Sequence, residues 1–317
     1  MFSLIKQSGR IHFIIKTHVI RFLHSKSAGG KEDLVEAGEI PIPKGVWADG
    51  RLQDPEELFR IVGSLVEERE WKKKQLYFTV PDHSVVIRML DIPAEVKEEE
   101  IKGYLYMQVG DTLHLPFDNP SFDFAMIREE EDGKKTIVIF AYPEIQMEEM
   151  SRLFERTGLK PVVADISALA IHRAYLQSMS NEEGEHLLLA DWNIDGCVLT
   201  VFRDGAPVVH NHTTCPLSFE QWKRTDGCYT WSGEDPAEPS RHTMDQVNEI
   251  ERVMAFYRYS VMNDEAGVTK VMITGDWPDK DRAVDLLTER NVKAERWCGD
   301  EAYPGVEADV LGLSWRQ

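Results

Sequence analysis

Two stretches of the chain share one order of apolar and polar positions. Ile11, Phe13 and Ile15 alternate, Lys16-Thr17-His18 interrupts them, and Val19, Ile20, Phe22 and Leu23 resume. Further on, in LLLADWNIDGCVLTVFRDGAPVVH (187–210), an apolar run ends at Asp191 and a polar turn follows. Val198, Leu199, Val201 and Phe202 then continue to a second turn at Asp204-Gly205. Apolar alternation broken by turn residues predicts strand, hairpin, strand, hairpin, strand. Two such openings predict a two-lobed, internally duplicated fold.

After the first opening, 35–43 reads as a strand. Asp54-Pro55-Glu56-Glu57 then starts a helix: Asp54 as cap, Pro55 in the first turn, Glu57 reaching back as in a capping box. Leu58, Ile61, Val62 and Leu65 give that helix one buried face, and 75–80 is a strand closed by Pro81-Asp82. The first lobe thus reads βββαβ. From Ser84 the character changes. Residues 85–90 are extended before a break at Asp91-Ile92-Pro93, and a helix from about Lys97 places Ile101, Tyr104, Leu105 and Val109 on one side. Leu115-Pro116-Phe117 follows, then strands over 122–127 and 136–141 joined through Asp132-Gly133. This small α+β unit interrupts the larger plan. A helix from Pro143 carries Met147, Met150, Leu153 and Phe154 and stops at Gly158; a strand (161–164) and a helix (167–176) complete the lobe. In the second lobe, 213–240 has no periodicity. Ser240 then caps a long helix with Met244, Val247, Val253, Phe256 and Tyr257 in step, followed by a strand (270–274) ending at Gly275, a helix through Val284 and Leu287, and a strand (292–297). The expected division is 1–83 and 142–185 for the first lobe, 84–141 for the inserted subdomain, and 186–317 for the second lobe with an inserted region over 213–265.

Composition narrows the class. Over 317 residues, 42% hydrophobic and 29% charged, the chain reads as globular and soluble. No apolar run is long enough to span a bilayer. A formal charge of −19 argues against nucleic acid or anionic lipid and suits a basic partner. The early basic residues Lys6, Arg10, Lys16, Arg21, Lys26 and Lys31 could form a transit peptide, but the alternation from Ile11 to Ile15 reads as a strand. Cys197, Cys215, Cys228 and Cys298 form no CxxC pair, as expected in a reducing compartment.

The run Val85-Val86-Ile87-Arg88-Met89-Leu90-Asp91-Ile92-Pro93, the helix after it, Leu115-Pro116-Phe117 and Phe122-Asp123-Phe124 resemble the inserted-subdomain signature of the type IV pilus assembly protein PilM family. Asp165, Ala168-Leu169-Ala170 and Arg173 resemble its next signature, while Asp191 and 271–275 fall where its nucleotide loops belong. No single motif is specific; order and spacing carry the likeness from Ile11 to Trp297. The family is similar to FtsA. The resemblance implies an α/β, actin-like (ribonuclease H-like), two-lobed duplicated fold with an inserted small α+β subdomain. It also implies a cytoplasmic protein, peripheral to the cytoplasmic membrane through its partners. Those partners are the cytoplasmic N-terminal tail of a PilN-like membrane protein, held between the first lobe and the inserted subdomain, and other pilus or competence-pseudopilus assembly proteins.

The chain's own residues decide what to expect of the nucleotide site. Actin-type sites hold phosphates on main-chain N–H groups at two hairpin turns, where a Cβ obstructs close approach, and a carboxylate before each turn organises metal and water. The first turn here, Lys16-Thr17-His18, has neither glycine nor preceding aspartate. The second keeps Asp191 but continues Trp192-Asn193-Ile194, and after Gly275 comes Asp276-Trp277-Pro278. Thr17, Asp191, Asn193 and Gly275 are therefore the candidate nucleotide contacts of a site expected to bind weakly or not at all, with no catalytic residue: a pseudo-ATPase adaptor with no cofactor. The alternative is an actin-like ATPase in which Mg-ATP gates partner binding. The expected partner contacts are Ile87, Tyr104, Leu115 and Phe117, the last three more readily read as core. Glu98-Glu99-Glu100 and 129–132 would attract a basic juxtamembrane tail, or simply be solvated. His210-x-His212 with Cys215 lacks a fourth ligand for zinc and reads as exposed strand-end residues.

Overall fold

The computed structural model describes residues 9–316 apart from 29–30, 49, 130–132, 180–183, 226–227, 298 and 301. Lys6 and the expected Asp132 turn residue lie outside the described residues.

The first lobe opens with an antiparallel meander of β1 (Arg10–Ile15), β2 (Val19–Ala28) and β3 (Lys31–Pro41). A two-residue pair follows, β4 (Trp47–Ala48) with β5 (Arg51–Leu52), then helix α1 (Pro55–Glu68) and β6 (Gln75–Thr79), which runs parallel to β1. The Asp54 side chain caps α1 by accepting from the Glu57 amide at 2.9 Å. The second half of the capping box does not form: the Asp54 amide is already donated to Val46, and the Glu57 carboxylate takes the Arg60 guanidinium.

The chain then leaves the lobe for β7 (Val86–Ile92), α2 (Ile101–Gln108), β8 (Pro120–Glu129) and β9 (Lys135–Pro143), a sheet in the order β7-β9-β8. Strand β7 runs through Asp91 and Ile92, which were expected to break it; Pro93, lacking an N–H, ends it. A 3₁₀ turn over Glu98–Glu100 precedes α2, and Val109 is extended rather than helical. The chain returns through α3 (Glu144–Arg156), β10 (Lys160–Asp165) and α4 (Ser167–Ser178).

The second lobe repeats the plan. It comprises β11 (His186–Asn193), β12 (Gly196–Arg203), β13 (Ala206–Thr214), a hairpin of β14 (Trp222–Thr225) and β15 (Cys228–Trp231), α5 (Glu238–Phe256), β16 (Lys270–Thr274), α6 (Lys280–Glu289), β17 (Ala294–Arg296) and α7 (Ala308–Ser314). The sheets read β3-β2-β1-β6-β10 and β13-β12-β11-β16-β17, the same order strand for strand. Helix α5 therefore stands where α1 stands, and residues 213–265, expected as an insertion, divide. The hairpin and its flanks are a longer segment where the first lobe has the short β4–β5 pair; α5 is a crossover helix of the duplicated core. Its start also differs from expectation. Pro239 occupies the first turn and the helix begins at Glu238, so Ser240 lies inside it and caps nothing.

Alternation sends the residues of each sheet to two faces. In the first sheet Ile11, Phe13 and Ile15 pack with Leu58 and Val62 of α1 and with Phe154 of α3. In the second, Leu188, Ala190 and Leu199 pack with Val247 and Ile250 of α5 and Leu287 of α6. The remaining faces are covered by exchange. Helix α4 packs toward the second sheet, where His172 stacks flat on Phe202 with ring centroids 3.8 Å apart. Helix α7 covers the first, with Val310, Leu311 and Leu313 joining Ile14, Leu23 and Tyr77. Where α4 crosses α7 the backbones touch: a Cβ on Gly312 would run into the Ala170 carbonyl.

Candidate functional site: the interlobe cleft and a neighbouring groove

Hairpin β1–β2 points its turn into the cleft between the lobes. Lys16, 5% exposed, lies between two carboxylates, its Nζ 2.8 Å from Asp82 Oδ2 in the first lobe and 2.6 Å from Asp191 Oδ2 in the second. Thr17 donates its amide and hydroxyl to Asp195 Oδ2 at 3.1 and 2.8 Å. His18 Nε2 is 2.6 Å from Asp276 Oδ2, and its Nδ1 is 3.4 Å from Asp195. Arg21, also buried, donates to Asp309 at 2.5 Å and to Asp276 at 2.9 Å. Asn193 donates to Asp191 Oδ1 at 2.8 Å and accepts from the Asp276 amide at 3.2 Å.

All three cations come from one hairpin of the first lobe, and four of the five carboxylates come from the second. Buried charges without partners are strongly disfavoured, so each sign fixes the other. Burial pushes the Lys16 ammonium toward neutrality, but Asp191 and Asp82 outweigh it and hold its pKa well above the ordinary value. Burial likewise opposes a charged His18, yet Asp276 and Asp195 raise it to about 9. Burial would raise Asp195, but the facing His18 holds it far below the usual carboxylate range.

A metal-bound triphosphate requires glycines at the turns and carboxylates open to the ion. Here the first turn carries the Lys16 side chain, whose ammonium fills the space between Asp82 and Asp191. The loop after β16 is filled as well. Gly275, at φ 94°, is backed against the Trp192 carbonyl. Trp277 stacks on Trp192 (5.3 Å, 8°) and is met edge-on by Trp222 and His242. The hairpin β14–β15, which no periodicity revealed, spans the opening. Glu220 meets Lys44 at 2.5 Å, Arg224 pairs with Glu39, and Phe219 and Tyr229 flank the His18 ring. A cavity of about 340 Å³ remains beside Lys16, lined in part by Thr17, Asp82, Asn193, Asp195 and His212. The expected positions Thr17, Asp191, Asn193 and Gly275 thus come together. Lys16, His18, Arg21, Asp82, Asp195, Asp276 and Asp309 were missed as a set, because ionic partners so distant in sequence leave no local pattern.

A larger cavity of about 760 Å³ lies between the inserted subdomain and the first lobe. One wall is β8 and β9, with Phe124, Met126, Val138 and Phe140; the other is the end of β10 and the start of α4, with Ala164, Ile166 and Leu169. The second lobe closes one end with the β12–β13 turn, Arg203 to Pro207. Asp165 is pinned in the floor by Arg173 at 2.9 Å and Arg316 at 3.3 Å, and Arg173 also donates to the Gly312 carbonyl of α7 at 2.5 Å. Two smaller hollows share Ala164 and extend the groove along β10. Strands β8 and β10 are end strands of their sheets.

Ile87, Tyr104, Leu115 and Phe117, expected as partner contacts, line none of these hollows. Ile87 is buried in the main core, and the other three pack half-buried around the subdomain's small core of Ile101, Leu105, Phe122 and Ile139. Apolar residues beside a loop looked like an interface; they are what holds α2 to its sheet. Glu98–Glu100 do not line the groove either, and residues 130–132 lie outside the described ones. The groove walls carry Arg128, Arg203 and Arg316 alongside Asp123, Asp165 and Asp204, so their charge is mixed rather than acidic. His210 and His212 are half-buried, not exposed, His210 bonding Thr200 Oγ1 at 2.9 Å. Among the described residues no group of three or more His, Cys, Asp or Glu could hold a metal ion. No described helix is long and apolar enough to cross a membrane.

Comparison with known proteins agrees with this architecture. No curated protein sequence matches the chain. Among solved structures, the PilM–PilN type IV pilus biogenesis complex superposes with a TM-score of 0.75 at 16% identity, covering 97% of this chain and 98% of that one. A Bacteroides thetaiotaomicron protein with an actin-like ATPase fold and unknown function gives 0.52 at 12% identity over the full length of both. The cytoplasmic domain of EpsL, an inner membrane component of the Vibrio cholerae type II secretion system, gives 0.50 at 9%, covering 98% and 97%. These likenesses establish the actin-like fold. The model of the type IV pilus assembly protein PilM family matches residues 14–214, well over half of the sequence, and the chain belongs to that family.

Proposed function

We propose that this protein is an adaptor of type IV pilus or competence-pseudopilus assembly. It holds the cytoplasmic N-terminal tail of a PilN-like membrane protein and so sits at the cytoplasmic membrane through that partner, and its nucleotide cleft is degenerate. The observation that carries the adaptor reading is the groove, which offers apolar side chains from β8 and β9 opposite the end of β10 and the start of α4, beside two edge strands that an extended peptide can meet. Family membership supports the choice of tail, as does the solved PilM–PilN complex, a relative assembled with such a partner. The degenerate cleft is supported by Lys16 between Asp82 and Asp191 and by Trp277 behind Gly275.

Ala164 is exposed and shared by all three hollows, so Ala164→Arg fills the groove without entering the core. A synthetic tail peptide of the organism's own PilN-like protein, titrated calorimetrically, is expected to lose at least about tenfold in affinity for this variant. Tyr104→Phe, which alters only a side chain packed on the small core, is expected to bind as the parent does. Equal binding by Ala164→Arg would refute the groove. A rise in melting temperature with sub-millimolar Mg-ATP would refute the degenerate cleft.

A further inference from the structure

We propose that the Lys16 ammonium is a resident substitute for a bound metal ion, joining Asp82 of the first lobe to Asp191 of the second and keeping the lobes closed with no nucleotide between them. The inference deepens the degenerate-cleft reading and rests on it. A divalent cation in an oxygen site is held by carboxylates converging on one point. Asp82 Oδ2 and Asp191 Oδ2 do converge, and the point is Nζ of Lys16, within 2.8 Å of both. Each carboxylate is positioned from its other oxygen, Asp191 by Asn193 at 2.8 Å and Asp82 by the Ser167 hydroxyl. The pair therefore keeps its place as ligands would, while the charge between them is a side chain.

The neighbouring contacts act in the same direction. His18 and Arg21, from the same hairpin, reach Asp195, Asp276 and Asp309, so every strong ionic contact but that to Asp82 crosses from one lobe to the other. Strand β14 and the turn just before it add Arg224 to Glu39 and Glu220 to Lys44 across the same opening. A nucleotide and its metal would have to displace Lys16 and separate these pairs before meeting a phosphate-binding amide. In Lys16→Ala, by contrast, two buried carboxylates are left facing one another around a vacated space, which is what a divalent cation requires.

The test is a gain of function in the full chain. Melting temperatures of the parent and Lys16→Ala are measured with chelator and with rising Mn²⁺ or Mg²⁺. The parent is expected to ignore both ions. Lys16→Ala is expected to melt several degrees lower in chelator and to recover most of that loss at millimolar metal, with Mn²⁺ binding followed directly by electron paramagnetic resonance. Should Lys16→Ala fold only when refolded in metal, that is the same result. Failure to fold in either condition, or folding with no response to metal, overturns the proposal. Lys16→Ala/Asp191→Asn leaves a single carboxylate and is expected to fold without gaining the response; a response there would place the ion elsewhere and also overturn it. A parent that binds Mg-ATP would refute the degenerate cleft. A parent that ignores Mg-ATP, beside a Lys16→Ala unresponsive to metal, would refute the resident cation alone.

Discussion

His18 makes the closure of the cleft depend on pH in a direction opposite to that of most buried histidines. Its ring lies between Asp276 and Asp195, with Arg21 and Lys16 on the same hairpin and Tyr229, itself raised to about 12, against its face. Its pKa rises from 6.5 to about 9. A folded-state value above the unfolded one contributes stability that is complete below the unfolded pKa and is lost as pH rises through the folded pKa. Fully expressed, the difference is worth about 3 kcal/mol, of which about 2.5 kcal/mol disappears between roughly pH 7 and 9.5. The other strongly shifted histidines, His12, His24, His172 and His210, are lowered to about 4, so they are neutral in both states across that window and do not mask the effect. Urea unfolding of the parent and of His18→Gln at half-unit pH steps gives the comparison. The parent's unfolding free energy is expected to fall by about 2–3 kcal/mol over the window, while His18→Gln, lower at pH 7, stays nearly level. Parallel slopes for the two proteins would refute the assignment of the charge to His18.

On the acid side the sign reverses: His12, His172 and His210 are buried neutral, so stability should drop by about 2 kcal/mol for each as pH falls from about 7 to 5, read from the same titration with His172→Phe as the flattened control. Gly275→Ala places a Cβ against the Trp192 carbonyl at a positive φ and is expected to cost about 2–4 kcal/mol, measured by thermal melting; a loss under 1 kcal/mol would show that the loop relaxes. Trp277→Ala empties the centre of the aromatic cluster, with an expected loss of about 3–5 kcal/mol by urea titration. Asp165→Asn removes the charge holding Arg173 and Arg316 and should weaken tail binding more than it lowers the melting temperature, as calorimetry and melting on one preparation would show.

Much of the fold was legible because each strand and crossover helix carries its own period. The turn Lys16-Thr17-His18, the Asp54 cap and the Asp204-Gly205 hairpin all announce themselves within a few residues. Helix α7 did not, because all seven of its residues are buried, Asp309 and Ser314 among them, so no apolar stripe stands out against a polar face. The β14–β15 hairpin is short and polar in sequence, and its meaning comes from the lobe it reaches. At the cleft, the absence of glycine was visible while the role of Lys16 was not, since its partners stand at Asp82 and Asp191. At the groove, Phe140 and Ala164 look like ordinary strand residues until two sheets meet, whereas Tyr104 and Phe117, expected as contacts, pack half-buried on the subdomain's own core.

The exchange of α4 and α7 ties the order of translation to the order of folding. Ile14, Leu23 and Tyr77 on β1, β2 and β6 are made early, yet the surface that shelters them, Val310, Leu311 and Leu313, leaves the ribosome only after every strand of both sheets. Until then the first sheet stays greasy on one side, a period of aggregation risk. Either half produced alone would keep that wound open, so attempts to express the lobes separately should yield insoluble material, and only the joined chain can heal it.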